Sequence, residues 1–588
     1  MAESKKPDPN ELEGFVTCEG KPARKDIHGG IHSTFFVYVM QLFDMLAFFA
    51  INVNLVTYFN GVMHMEISES ATTLTNFVGT ALLLSLLGGL ISDSYVDRFR
   101  TTIVSAFIEL AGYIILLTQA HFGSLKPPPC NLLGPTSVCV KVSGAKTAML
   151  FIGLYLIAIG NGGVKGALPA FGADQFDEKD PKERRKISTY FNMLFFSITA
   201  GSSIGVTAVV WVMNNSGWDA GFGFCVGAVS LAIISMVAGR KTYRIRIPEG
   251  GPLIRILQVF VAAFRNRKLS TPENPCDLYE IHDKAVNINT EKLLHTNQFR
   301  ILDKAAISTE GSFQLENNME PNGWRLCSVT QVEETKVIIR MMPIFACTIL
   351  ISTNLAQLQT FSVAQGLTMD RSMGKHFQIP AASLAIIPLA FLVILTPIYD
   401  RLFVPFARKF TGHEAGITHL QRIGVGLVLS TISMAISGLV EVKRKNVAKE
   451  HGMLDALFNP LPISVFWLGF QDFVFGVADL FTVVGLMEFF YSEAPVRMRS
   501  MATAFSYTSL SLGFFLSSVL VNIVNAATRN ITSSHGWLRG NNLNRNHLNL
   551  FYWLLAILSM LNFFNYLFWA NWYKKKQVAG IQEDKDRV

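Results

Sequence analysis

Charge is scarce in this chain. Asp, Glu, Lys and Arg make up only 16% of its 588 residues, against 50% hydrophobic, too little polar surface to wrap a water-soluble domain of that size. Cysteine is scarce too: the seven present show no metal-ligand or disulfide-scaffold spacing. The twelve histidines fall mostly in polar segments, as His28, His32, His413 and His419 do, and cluster with no nucleophile or metal-ligating set. An enzyme is therefore not expected, nor a cofactor or resident metal. The first residues, MAESKKPDPNELEG, are too polar for a signal peptide, and the apolar stretch after Ser33 is too long for one. The net charge of +8 is scattered through short loops rather than gathered on a basic face, which excludes nucleic acid as a partner.

What the chain does have is long apolar runs. With 45 Phe, 44 Gly and a mean hydropathy of +0.33, it reads as a polytopic all-α membrane protein. Runs of about 20 apolar residues, enough to cross a bilayer, occur near 35–59, 75–96, 101–122, 147–170, 190–213, 218–239, 336–360, 379–403, 421–441, 462–487, 500–527 and 547–572. Twelve transmembrane helices in a six-gap-six order predict an N-terminal tail (1–34), a six-helix bundle (35–239), a polar linker (240–335), a second six-helix bundle (336–572) and a C-terminal tail (573–588). Within the linker, Pro252 to Phe264 has apolar positions at helical spacing and is expected to lie along the membrane surface. Lys and Arg concentrate in alternate short loops, so the linker and both termini are expected in the cytoplasm. One segment resists this rule: Glu441 to Lys449, EVKRKNVAK, is basic yet falls on the outer side.

Against this apolar background Lys165 stands out, inside the run AMLFIGLYLIAIGNGGVKGALPA (148–170). A charge at that depth costs several kcal/mol and usually faces a cavity and marks a path for ions or substrate. The polar residues that follow at 171–178 also permit a position near the interface. In the outer loop before that run, Cys130 and Cys139 stand where oxidation is permitted and either close a disulfide or remain free thiols. Asn530-Ile531-Thr532 is an N-glycosylation sequon in the loop before span 12.

Several motifs converge on one family. Gly88-Gly89-Leu90-Ile91-Ser92-Asp93, followed by Arg98, resembles the loop motif of the major facilitator superfamily. GNGGVKGALPAFGADQFDE (160–178), ISTYFNMLFFSITAGSSIG (187–205) and FTVVGLMEFFYSEAPVRMRSMATAFSY (481–507) are similar to signatures of the plant nitrate and peptide transporter family, a branch of the proton-dependent oligopeptide transporters. The resemblance covers nearly the whole chain. MMPIFACTILISTNLAQLQTFSVAQG (341–366) and GITHLQRIGVGLVLSTISMAISGLVEVKRK (416–445) look most like the clade that includes low-affinity nitrate transporters and importers of abscisic acid and gibberellin.

The resemblance implies secondary active transport of a small anionic solute by alternating access: low-affinity nitrate first, an organic-acid hormone as the alternative. Asp93 and Arg98 would latch the moving helices. Asp44, Lys165 and the span-10 acid Glu488 would form the charge network of the cavity. Family members that couple to protons carry Glu-x-x-Glu-Arg or Glu-x-x-Glu-Lys in span 1, where this chain has Gln41, Asp44 and Met45. Either Asp44 still binds and releases a proton, or it pairs permanently with Lys165 and leaves an uncoupled facilitator or an exporter. A receptor-like binding protein would also keep such a cavity. A nitrate-carrying member has a histidine where this chain has Leu355, and a larger substrate would use Phe35, Tyr38, Phe48, Gln357 and Phe361. Thr101 aligns with a position phosphorylated by a regulatory kinase, and is alternatively a helix N-cap. The expected partners are the solute, H+ and the lipid bilayer, for a monomer or weak dimer in the plasma membrane or the vacuolar membrane.

Overall fold

In lipid the backbone finds no water, so each apolar run must close its hydrogen bonds within one helix. The computed structural model describes the chain apart from residues 1–10, 66, 129–141, 178–179, 248–250, 273, 275–276, 281–292, 309–321, 374–376, 379–385, 413–415, 456–459, 531–535, 539–542 and 575–588. Among the described residues, twelve helices are long and apolar enough to cross a membrane. Spans 1 to 6 are Gly30–Phe59, Asn76–Ser94, Arg98–His121, Ala145–Ala173, Pro181–Asn215 and Trp218–Lys241. Spans 7 to 12 are Val329–Leu367, Pro388–Thr411, His419–Glu450, Val465–Glu493, Arg499–Ala527 and Leu548–Trp572. The chain is an integral multi-pass membrane protein of two six-helix bundles.

One apolar core is built from spans 1 to 6 and extends onto spans 8, 10 and 11; a second joins span 7 to spans 9 to 12. The bundles meet where spans 2 and 4 pack on span 11, and where span 5 packs on spans 8 and 10. Spans 5 and 8 each contain a π-helical turn, Gly205–Val209 and Tyr399–Phe403, a break in the regular ladder that often accompanies functional positions. The end of the molecule carrying the connection between spans 6 and 7 is called the linker side below.

Two features differ from the sequence expectation. Residues 441–449 are not a loop: span 9 runs on to Glu450, the Glu441–Arg444 pair is fully buried with 2.7 Å between its charged atoms, and Lys445 caps the Asn546 carbonyl at 2.7 Å. A rule about loop charge does not apply to charges that are paired or bonded within the fold, which removes Arg444 and Lys445 from the exception and leaves Lys443 and Lys449 exposed. The N-terminal tail is not merely a tail, because Glu11–Val16 forms a three-stranded antiparallel sheet with Pro22–Arg24 and with Ile245–Arg246, just after span 6. The linker helix Pro252–Arg265 buries Val259, Ala262 and Ala263 against the linker core while Leu253, Leu257, Phe260 and Phe264 stay exposed. Ion pairs from Arg255 to Glu334, at 3.0 Å, and from Asp303 to Lys336, at 2.6 Å, dock this layer on the start of span 7.

Candidate functional site

The glycines before Lys165 decide what surrounds it. A side chain at Gly88 would meet the Gly163 backbone at 2.6 Å, and one at Gly160 would meet Glu109 Cβ at 2.5 Å, so only glycine lets spans 2 and 3 lie this close to span 4. That closeness brings an acid of span 3 against the face of span 4 that carries Asn161 and Lys165. Asp44, buried in span 1, accepts hydrogen bonds from Asn161 Nδ2 at 3.3 and 3.5 Å. Lys165, one turn beyond Asn161, is also buried and has its Nζ 3.8 Å from the centroid of Phe48 and 5.9 Å from that of Tyr507. Asp44 and Glu109 lie within its electrostatic reach, yet among the described residues no ion pair of Lys165 closes within 4 Å. Cation–π contact contributes roughly 2 kcal/mol at a desolvated site, enough to seat the ammonium but far from the solvation it has left.

Glu109 is the residue that sequence reasoning missed. It is fully buried, and among the described residues neither of its carboxyl oxygens meets a donor in hydrogen-bonding geometry. The signal was available, since an acid inside the apolar run 101–122 is as unusual as the lysine inside 148–170. Gln41, on the same face of span 1 as Asp44, is likewise fully buried with both ends of its amide unpaired, and Met45 is buried beside them.

Glu488 belongs to a different cluster, which corrects the expectation that it faces Lys165. It accepts from Ser188 Oγ at 3.2 Å and from Arg422 at 3.5 Å, with His419 Nδ1 3.6 Å away. Arg422 in turn donates to Asn192 Oδ1 at 2.8 Å and stacks on Tyr399 at 4.5 Å. Asn192 Nδ2 donates to Asp400 Oδ1 at 2.7 Å, inside the π-helical turn of span 8. The physical reason for the change of partner is proximity on the linker side, where span 5 inserts its polar face against spans 8, 9 and 10.

The loop motif folds into a third cluster. Arg98 binds Asp93 at 2.8 Å and also Asp174 of span 4. Across the bundle boundary, Tyr491 donates to Asp174 at 3.0 Å and Asp93 accepts from the Met501 backbone at 2.9 Å, while Arg499, within the second bundle, donates to Tyr491 at 3.2 Å. The pair thus ties spans 2 and 4 to spans 10 and 11 on the linker side. Thr101 is not the N-cap; Asp97 is, accepting from Arg100 N at 2.8 Å. The Thr101 hydroxyl is buried and turned onto the Val96 carbonyl at 3.3 Å.

The remaining candidates scatter. Tyr38 stacks on Tyr190 with centroids 5.7 Å apart, and Phe361 meets Phe551 edge-on at 6.0 Å. Gln357 spends its amide on Ser517 at 2.8 Å, and Leu355 packs on the second core. Phe35 faces outward and leaves the pocket. Asn530 is exposed in the turn after span 11, while Cys130, Cys139 and Thr532 lie outside the described residues. Among the described residues, the compact set His295, Asp303 and Glu333 could in principle hold an ion, but Lys336 and Arg340 already bind its carboxylates.

Comparison with known proteins agrees with this architecture. Residues 99–538 match the model of the POT family. Relatives include Protein NRT1/ PTR FAMILY 4.4 of Arabidopsis thaliana, 46% identical over 95% of this chain and 90% of its own, and NRT1/ PTR FAMILY 4.6 of the same plant, 45% identical over 97% and 98%. Among solved structures, an auto-inhibited POT family peptide transporter superposes with a TM-score of 0.57 at 18% identity, covering 92% of this chain and 97% of that one. A POT family transporter in complex with 5-aminolevulinic acid superposes with a TM-score of 0.55 at 12% identity, covering 93% and 99%.

Proposed function

The chain belongs to the POT family, and on that footing we propose that it carries a small anionic solute across the membrane by alternating access between its two bundles. That it is a membrane transporter, and not an enzyme, follows from the family; the anion is our reading. One observation supports it above the rest: Lys165 is buried between aromatic faces with no carboxylate bonded to it among the described residues, so its charge is available to an incoming anion. Nitrate is the smaller candidate. The rings of Phe48 and Tyr507 beside the ammonium favour the larger one, a carboxylate on an apolar body such as abscisic acid or gibberellin, because such a ligand gains from aromatic contact that nitrate cannot use.

The Arg98 cluster is the gate of the linker side in this reading, and it is closed. Opening it separates Asp174 from Tyr491 and Asp93 from Met501, and only then could a kinase reach Thr101. With the linker and both termini in the cytoplasm and the protein in the plasma membrane, the closed gate is the inner one. The test is uptake of labelled nitrate, abscisic acid and gibberellin into oocytes, in acid and neutral medium, with membrane current recorded. Accumulation of one solute names the cargo. Efflux of a preloaded solute without uptake would make it an exporter, and binding without any movement would end the transporter reading.

A further inference from the structure

The group that carries the proton is a separate matter, and it rests on the transporter reading above. Span 1 offers only Asp44. Around it lies a concentration of buried polar atoms without partners: both ends of Gln41, both oxygens of Glu109, Asn161 Oδ1 and the Tyr113 hydroxyl. Buried polar atoms are normally satisfied, so a concentration of unpaired ones marks a place where something else is held. The carboxyls of Asp44 and Glu109 approach within hydrogen-bonding reach of each other. Two carboxylates cannot share a buried site as two anions; a proton between them turns repulsion into a hydrogen bond.

We propose that Asp44 and Glu109 together form the proton-binding site of this transporter, one carboxyl pair shared between spans 1 and 3. The charged and titratable groups facing it are Lys165 from span 4, Tyr113 from span 3 itself, Cys225 from span 6 and Tyr507 from span 11. Lys165 supplies the cation among them. With both acids ionised the cluster of Asp44, Glu109 and Lys165 carries −1 and repels an anion. One shared proton brings it to zero, and a second brings it to +1, so that the charge of Lys165 is no longer offset by the two nearby carboxylates and can receive the substrate. The anion and that second proton then enter as a neutral pair. Each step forms one O–H bond from a proton of the solution on one side and breaks it to the solution on the other, so no further reactant is needed. Since each ligand favours the other, the coupling is reciprocal.

The test uses the full chain purified into lipid, with infrared difference spectra taken across a titration in pH. The wild type is expected to show the carbonyl stretch of a protonated carboxylic acid that disappears in alkali. Glu109→Gln should remove it, and Glu109→Asp should retain it at a shifted frequency, which also shows that the site still folds. In uptake, Glu109→Gln should lose the wild-type pH profile of acid stimulation, because Asp44 is then the one acid of the pair left to protonate. An unchanged carboxylic band in Glu109→Gln, or wild-type acid stimulation in that variant, would overturn the pair. If the wild type moves none of the solutes tested but the band behaves as described, the choice of cargo falls and the proton site stands.

Discussion

Two buried charge clusters sit on spans 2 to 4, and they are built in opposite ways. At the linker side, Arg98, Asp93, Asp174, Tyr491 and Arg499 use one another: the guanidinium binds two carboxylates, and each carboxylate also takes a donor from the other bundle. Deeper in the membrane, Glu109 receives no donor in good geometry, Gln41 is unpaired at both ends, and Lys165 rests on a ring. A saturated cluster lowers the energy of one conformation and has nothing left to bind. An unsaturated one is costly as it stands and becomes favourable only when a ligand or proton completes it. The first is how a gate is held shut, the second how a site is kept open to its load.

That contrast can be broken at four points. Removing the charge at the unsaturated site, Lys165→Ala, should reduce uptake at least about a hundredfold, since truncating one partner of a buried charge contact costs about 2–5 kcal/mol of binding, with surface expression retained; normal uptake would remove the site from the transport path. Arg98→Ala strands two buried acids and should cost about 3–5 kcal/mol, read as a lowered unfolding temperature and as labelling of linker-side cysteines introduced behind the gate. Little change in either would mean the gate is held elsewhere. Gly160→Ala pushes a methyl group into Glu109 and should cost about 1–3 kcal/mol through overpacking, with a smaller loss of uptake and a flattened response to acid. The least effect is expected on the surface, at the exposed pair of Arg545 and Asp455, 2.7 Å apart. The Arg545 guanidinium holds the Asp455 carboxyl below its usual value. Any stability from this pair is present above the ordinary carboxylate pKa and is lost as pH falls through the lowered value. Arg545→Ala should leave the unfolding temperature unchanged within error near neutrality, and a marked fall there would show that exposed pairs matter in this fold.

The residues themselves show how far sequence reading reaches. Lys165 announced itself because one charge in a long apolar run is visible without knowing its neighbours. Glu109 carries the same mark, but a mean over some twenty residues hides one acid. Asp93 and Arg98 lie five residues apart, so their pairing is local and was foreseen; Asp174 and Tyr491, which complete it, are far apart in the chain and were not. Glu488 was assigned to the wrong cluster for the same reason, its partners Ser188 and Arg422 being distant in sequence.

The sequence alone determined the number of spans, their grouping into two bundles and the family, because hydropathy is summed along one segment and motifs are contiguous. Packing decided the rest. Which acid meets which base depends on glycines that let spans 2 and 3 close on span 4, and on a polar face of span 5 that reaches into the other bundle. Those are distances between helices. In a low-dielectric interior a few ångströms decide whether a charge is paired, stranded or ready for a ligand, and no window along the chain contains that information.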